Sequence, residues 1–106
     1  MTQNYPAGAI THVVLVCWRE DASASTLDEL SRIVDKFVTH IPGVLQVAHG
    51  DSVSPEGLEG GFQWALVVTF ADLAARDGYL THDAHAPASA LIGEWSESLV
   101  VFDVAH

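Results

Sequence analysis

Lysine and arginine are scarce in this chain: four together, against fourteen aspartates and glutamates, for a formal charge of −10. Nucleic-acid binding draws on clustered cations that displace counterions, and attachment to an anionic membrane draws on the same groups. Neither is expected as a partner; the negative charge serves solubility. The single cysteine, Cys17, cannot form an internal disulfide, which suits a reducing compartment. No segment approaches the roughly 20 apolar residues that span a bilayer. The opening "MTQNYPAGAI" has no basic stretch followed by an apolar run, so no signal peptide is read there. Also missing are the phosphate-binding P-loop and the glycine fingerprint of dinucleotide sites, and the G-x-S-x-G nucleophile elbow. Phosphoryl transfer, hydride transfer and serine hydrolysis therefore lack their usual equipment. The expectation is a soluble, cytoplasmic protein.

Apolar side chains are plentiful, at 49% of 106 residues, enough for one domain over 1–106 with its core at about 10–104. Domains of this size bury a limited fraction of their surface and often gain by associating. "AITHVVLVCW" (9–18) is rich in β-branched residues and short, so it predicts a strand. Ile10, His12, Val14, Val16 and Trp18 share one face; Thr11, Val13, Leu15 and Cys17 share the other. Leu27, Leu30, Ile33, Val34, Phe37, Val38 and Ile41 then fall at helical spacing. Thr26 with Glu29, or Ser25 with Asp28, fits a capping box at the start of that helix, and Pro42 and Gly43 end it. Residues 44–50 predict a short strand, 51–61 a loop, and "FQWALVVTF" (62–70) a second long strand. "ADLAARDGYLTH" predicts a helix with Asp72 as a candidate N-cap. "APASALIGEW" (86–95) predicts another short helix and "SLVVFDV" (98–104) a closing strand.

The order β-α-β-β-α-β, with the second helical region broken in two, predicts an α+β, ferredoxin-like fold with helices on one face of an antiparallel sheet. If His12 and Trp64 look toward the helices, the bare face carries Val13, Leu15, Cys17, Ala65 and Val67. An exposed apolar sheet face calls for a partner. A homodimer with sheet packed against sheet, giving a dimeric α/β barrel, is the economical solution.

The strand "HVVLVCW", the "IPGV" after the first helix, the "HDAH" corner and the terminal "LVVFD" together resemble the stress-responsive dimeric α/β-barrel (Dabb) family, over about residues 10–104. The resemblance implies a ferredoxin-like monomer paired through its sheets. Some members are plant stress proteins, and many bacterial ones have no assigned activity. One branch, represented by plant olivetolic acid cyclase, closes a polyketide ring by aldol chemistry without metal or organic cofactor. Its working tyrosine and histidine match Tyr79 and His85, and its first-strand histidine matches His12. Where that branch has a further histidine, near the start of the third strand, this chain has Trp64, which removes one polar group from the pocket.

Aldol cyclisation needs a base for an acidic C–H and a donor for the enolate oxygen. His85 suits the first role, and Tyr79 the second, since a phenol is mainly a donor at neutral pH. On one continuous helix the two would project about 120° apart. Pro87 disfavours helix at Ala86, so a break between 82 and 86 is expected, freeing His85 to turn toward Tyr79. The competing account makes Tyr79 a helix-edge residue with its hydroxyl in water, and His85 a cap or the partner of a free backbone group. His82 is expected to meet the carbonyls ending its helix. His82 and His85 also form an H-x-x-H pair, but zinc normally takes three or four protein ligands, so no metal is expected. The small hydrophobic substrate would lie against His12, Val14, Val16, Phe37, Trp64, Val68 and Leu80, in a crevice of about 300 Å³ or more. The alternative is a stress-associated dimer or ligand carrier without turnover, its cavity absent or closed by Trp64 and Trp95.

Overall fold

The computed structural model describes residues 5–106; residues 1–4 of the expected domain lie outside the described residues. Eight elements follow one another: β1 (Ile10–Trp18), α1 (Ala24–Val34), α2 (Phe37–His40), β2 (Val44–Asp51), β3 (Trp64–Phe70), α3 (Leu73–Leu80), α4 (Ala86–Trp95) and β4 (Ser96–Ala105). The strands form one sheet in the order β2-β3-β1-β4, and every neighbouring pair is antiparallel. This is the ferredoxin-like α+β arrangement that the element order predicts.

Alternation decides which side of the sheet is covered. Along β1 every second residue, Ile10, His12, Val14, Val16 and Trp18, is buried under the helices, and the residues between them are half-buried. On β3, Trp64, Leu66, Val68 and Phe70 look the same way. The helices answer with a stripe at spacings of three and four: Leu30, Val34, Phe37 and Ile41 are all buried. Tyr79, Phe37, Phe70, Leu30, Leu66, Val16, Val34 and Val68 are the largest fully buried side chains. The opposite face of the sheet has no layer over it within the chain. Thr11, Val13, Leu15, Cys17, Ala65 and Val67 are half-buried there, and Phe102 and Val104, cross-strand from Val13 and Thr11, are exposed.

Several boundaries differ from the sequence expectation. The first helix starts at Ala24, because the Ser23 hydroxyl accepts the Thr26 N–H at 3.2 Å; neither expected capping box forms. Three hydroxyls stand in the run "SAST", and spacing alone does not choose among them. The expected single helix through 27–41 is two segments. At the step between them the Lys36 N–H bonds the Ile33 carbonyl, an i−3 contact that tightens the turn before α2. The apolar stripe runs through the step unbroken. The third strand begins at Trp64, not Phe62, and there the Gln63 side chain accepts the Trp18 N–H at 2.9 Å. The last strand is longer than 98–104 and follows α4 with no loop between them.

Gly43 fixes the step from the helices into β2. Its φ of +84° lies in the left-handed region, and a methyl added there would collide with the Ala75 side chain. Gly78 lies within α3 with open space where a Cβ would go. Gly43→Ala is therefore expected to cost about 2–3 kcal/mol of unfolding free energy, whereas Gly78→Ala should add about 0.5–1 kcal/mol. Urea denaturation of the two variants checks both signs; equal effects would contradict this placement of Gly43.

Candidate active site

The Asp72 carboxylate caps α3 by accepting the Ala75 N–H at 2.8 Å, as its position predicts. The helix ends at Leu80, one residue after Tyr79. Two consecutive tight turns follow: the His82 N–H bonds the Tyr79 carbonyl at 3.1 Å, and the His85 N–H bonds the His82 carbonyl at 3.0 Å. The His82 Nδ1 accepts the Ala84 N–H at 3.0 Å. His82 thus pins the corner as an acceptor, instead of donating to the helix carbonyls as expected, because the chain doubles back under it. Helix α4 then starts at Ala86 with Pro87 in its first turn, where a missing N–H leaves no bond broken. His85 stands at the N-cap position but makes no side-chain cap. Its imidazole turns instead onto the Tyr79 ring, with centroids 4.2 Å apart.

Tyr79 is 1% exposed. It sits among Phe70 at 4.8 Å, Phe37 at 5.5 Å and His12 at 5.6 Å between ring centroids. His12 projects from β1 into the same space. Its Nδ1 lies 2.7 Å from Asp103 Oδ1 on the neighbouring strand β4, and Arg76 of α3 donates to Asp103 Oδ2, also at 2.7 Å. Asp103 and Arg76 were missed from sequence. A signal was there: Asp103 interrupts the apolar run of β4 as His12 interrupts β1, and the two are cross-strand partners in register.

A half-open cavity of about 250 Å³ lies between the α3–α4 corner and the β1–β4 side of the sheet. His12, Val14, Leu66, Tyr79, Leu80, His85, Ala88, Ser89, Ile92, Gly93, Leu99 and Val101 line it. It is somewhat smaller than the crevice expected. Five of the nine residues expected at a pocket therefore come together: Tyr79, His85, His12, Val14 and Leu80. The other four do not line it. Val16 and Val68 are fully buried beneath the helices. Phe37 stands behind the Tyr79 ring as a wall. Trp64 is cross-strand from Val16, two pairs beyond Val14, and packs on Trp18 at 5.5 Å. Alternation grouped these residues on one face but did not give their position along or across the sheet, and the cavity lies toward β4, where Leu99 and Val101 line it, with Leu66 its β3 residue. Neither Trp64 nor Trp95 closes it. Leu66, Ala88, Ser89, Ile92, Gly93, Leu99 and Val101 are the lining residues that sequence reasoning did not place.

The electrostatics separate the groups. Burial raises the Tyr79 pKa above its ordinary value, so the phenol stays protonated and can donate. Burial lowers that of His85, and the proximity of His12 adds to this, while the Leu80 carbonyl works against it. The imidazole is therefore neutral at pH 7. For Asp103, burial opposes ionisation, but the hydrogen bonds from Arg76 and His12 outweigh it and hold the carboxyl below its usual range. Among the described residues no three His, Cys, Asp or Glu side chains gather as a metal site would require, and no helix is long and apolar enough to cross a membrane.

Residues 10–106 match the profile of the stress responsive A/B barrel domain. The chain belongs to the Dabb family. Solved structures share its fold. A dimeric ferredoxin-like protein of unknown function from Jannaschia sp. CCS1 superposes with a TM-score of 0.84 at 23% identity, over 92% of this chain and 98% of that one. A hydroxynitrile lyase from Passiflora edulis gives 0.85 at 17% identity, over 95% of each chain. A Dabb family protein from Mesorhizobium loti gives 0.72 at 20% identity, over 92% of this chain and 95% of that one. No curated protein matches the sequence.

The Asp103 link makes a prediction. A carboxyl whose pKa is depressed on folding stabilises the fold above its unfolded pKa, and that contribution is lost as pH falls through its folded pKa. Asp103→Asn should lower stability by about 1–2 kcal/mol at pH 7, with the deficit shrinking as the parent protein is acidified through that range. Thermal melts of both proteins across acidic and neutral pH check this, and parallel curves would contradict it.

Proposed function

We propose that this Dabb protein is a cofactor-independent enzyme acting on a small, hydrophobic, oxygenated molecule by enolate chemistry, of the kind that closes a ring in polyketide cyclases. The observation that carries the reading is the contact between a neutral, half-buried imidazole and a protonated, buried phenol at the wall of one half-open apolar cavity. His85 takes the proton from a carbon between two carbonyls. Tyr79 donates to the oxygen on which negative charge grows. The enolate carbon then attacks a third, more distant carbonyl of the same chain, forming the ring bond, and the proton held by His85 returns to the new alkoxide. His12, tied at Nδ1 by Asp103, presents its remaining ring edge to the cavity and orients a second oxygen.

The assembly proposed is a homodimer through the bare sheet face, where Val13, Leu15, Val67, Phe102 and Val104 would otherwise meet water. The dimeric description of the Jannaschia relative supports it, and a hydroxynitrile lyase among chains of this fold supports a catalytic use of the scaffold by fold analogy. A non-catalytic dimer or ligand carrier is the second reading. The aromatic packing of Tyr79 among Phe37 and Phe70 favours it, since those contacts alone account for burial of the ring.

Deuterium exchange at the central carbon of a hydrophobic β-diketone, followed by NMR, tests the first step without knowledge of the natural substrate. The parent protein should accelerate exchange, with the acid limb of the rate profile below the ordinary imidazole pKa. Tyr79→Phe and His85→Ala should each slow it about 10²-fold while the fold persists. Unchanged rates in both variants would exclude the pair.

A further inference from the structure

Four cationic side chains occur in the whole sequence, and two of them are neutralised in place. Arg19 pairs with Asp21 at 2.8 Å, and Arg76 pairs with Asp77 and Asp103. Arg32 and Lys36 make no ion pair among the described residues, although the chain carries fourteen carboxylates. They lie four residues apart, and His40 follows after four more, so the three fall on one side of the α1–α2 helical run. All three line one groove of about 380 Å³, together with Glu29, Ile33, Phe37 and Ala84. Its floor is apolar, formed by Ile33, Phe37 and Ala84. On this sequence a chance surface would place acids, not bases, around such a floor.

We infer that the α1–α2 groove binds a small amphiphilic anion: an oxyanion head held by Arg32, Lys36 and His40, and a short apolar body laid on Ile33, Phe37 and Ala84. Arg presents a planar fork of donors suited to an oxyanion, and Lys adds a mobile ammonium. The His40 ring donates an N–H in either protonation state. Glu29 is the one carboxylate in the lining, and it weakens the positive field there. Two unpaired cations beside one carboxylate leave the rim net positive on a protein of charge −10. The groove is separate from the Tyr79–His85 cavity and shares none of its lining residues. Phe37 is the wall between them, touching Tyr79 and His85 at centroid distances of 5.5 and 6.4 Å. The inference does not need the enzymatic reading, and either can fail alone.

Titration of the labelled protein with hexyl phosphate at low salt, followed by amide shifts, tests it, with hexanol as the neutral control. Saturable shifts at Arg32, Ile33, Lys36, His40 and Ala84 are expected, with much weaker effects of hexanol. The double variant Arg32→Gln, Lys36→Gln should bind hexyl phosphate at least about tenfold more weakly. Lys36→Arg should bind like the parent, and so should Arg19→Gln, which removes a cation elsewhere. All these positions are exposed, so the variants keep the fold. No saturable binding, equal response to hexanol, unchanged affinity in the double variant, or shifts centred on Leu99 and Val101 would each overturn the assignment.

Discussion

A helix running straight from residue 73 to residue 95 would carry Tyr79 and His85 to sides about 120° apart. The chain is instead bent between Leu80 and Ala86, and the bend is held by local means. The carbonyls of Tyr79 and His82 accept from the backbone N–H groups of His82 and His85, respectively, and the His82 ring accepts from Ala84. Pro87 then lets the next helix start without a lost bond. The His85 imidazole caps no helix; it hydrogen-bonds the Leu80 carbonyl and lies on the phenol. The role proposed for the pair follows from that placement. The same enclosure keeps the phenol protonated and the imidazole neutral.

The second constraint ties the sheet to this corner. His12 and Asp103 meet because β1 and β4 are antiparallel neighbours in register, and Arg76 brings α3 to the same carboxylate. One acidic side chain thus joins three elements and fixes one ring nitrogen of a cavity-lining histidine. In a chain with four cationic residues, the use of one of them here ties a scarce charge to the site. The pairing is part-buried and charge-assisted, a setting in which removal of one partner leaves the other uncompensated.

Much of this was legible in the sequence. The two-residue alternation in "ITHVVLVCW" sorted the strand onto two faces, both apolar, without deciding which one the helices cover, and the spacing of Leu30, Val34, Phe37 and Ile41 identified the helical stripe. Pro87 announced the corner. Other features were not legible, for physical reasons. Which of the neighbouring serines and threonines caps α1 depends on backbone dihedrals at Ser23. Which apolar residues line a hollow and which fill the core depends on strand order and on distance along the strand. Val16 and Val68 carried the correct face but lay under packed helices, while Leu99 and Val101 rim the cavity because β4 is an edge strand. Asp103 needed the register between two strands at opposite ends of the chain.

The central claim is that a small oxygenated guest occupies the hollow against both rings. A crystal structure of the protein with a hydrophobic β-diketone tests it most directly. The account predicts density for the guest in the cavity, one oxygen within about 2.6–3.2 Å of the Tyr79 hydroxyl and its central carbon facing the His85 ring. A hollow filled by side chains of a second copy, or a guest seated elsewhere while the hollow stays bare, would contradict it.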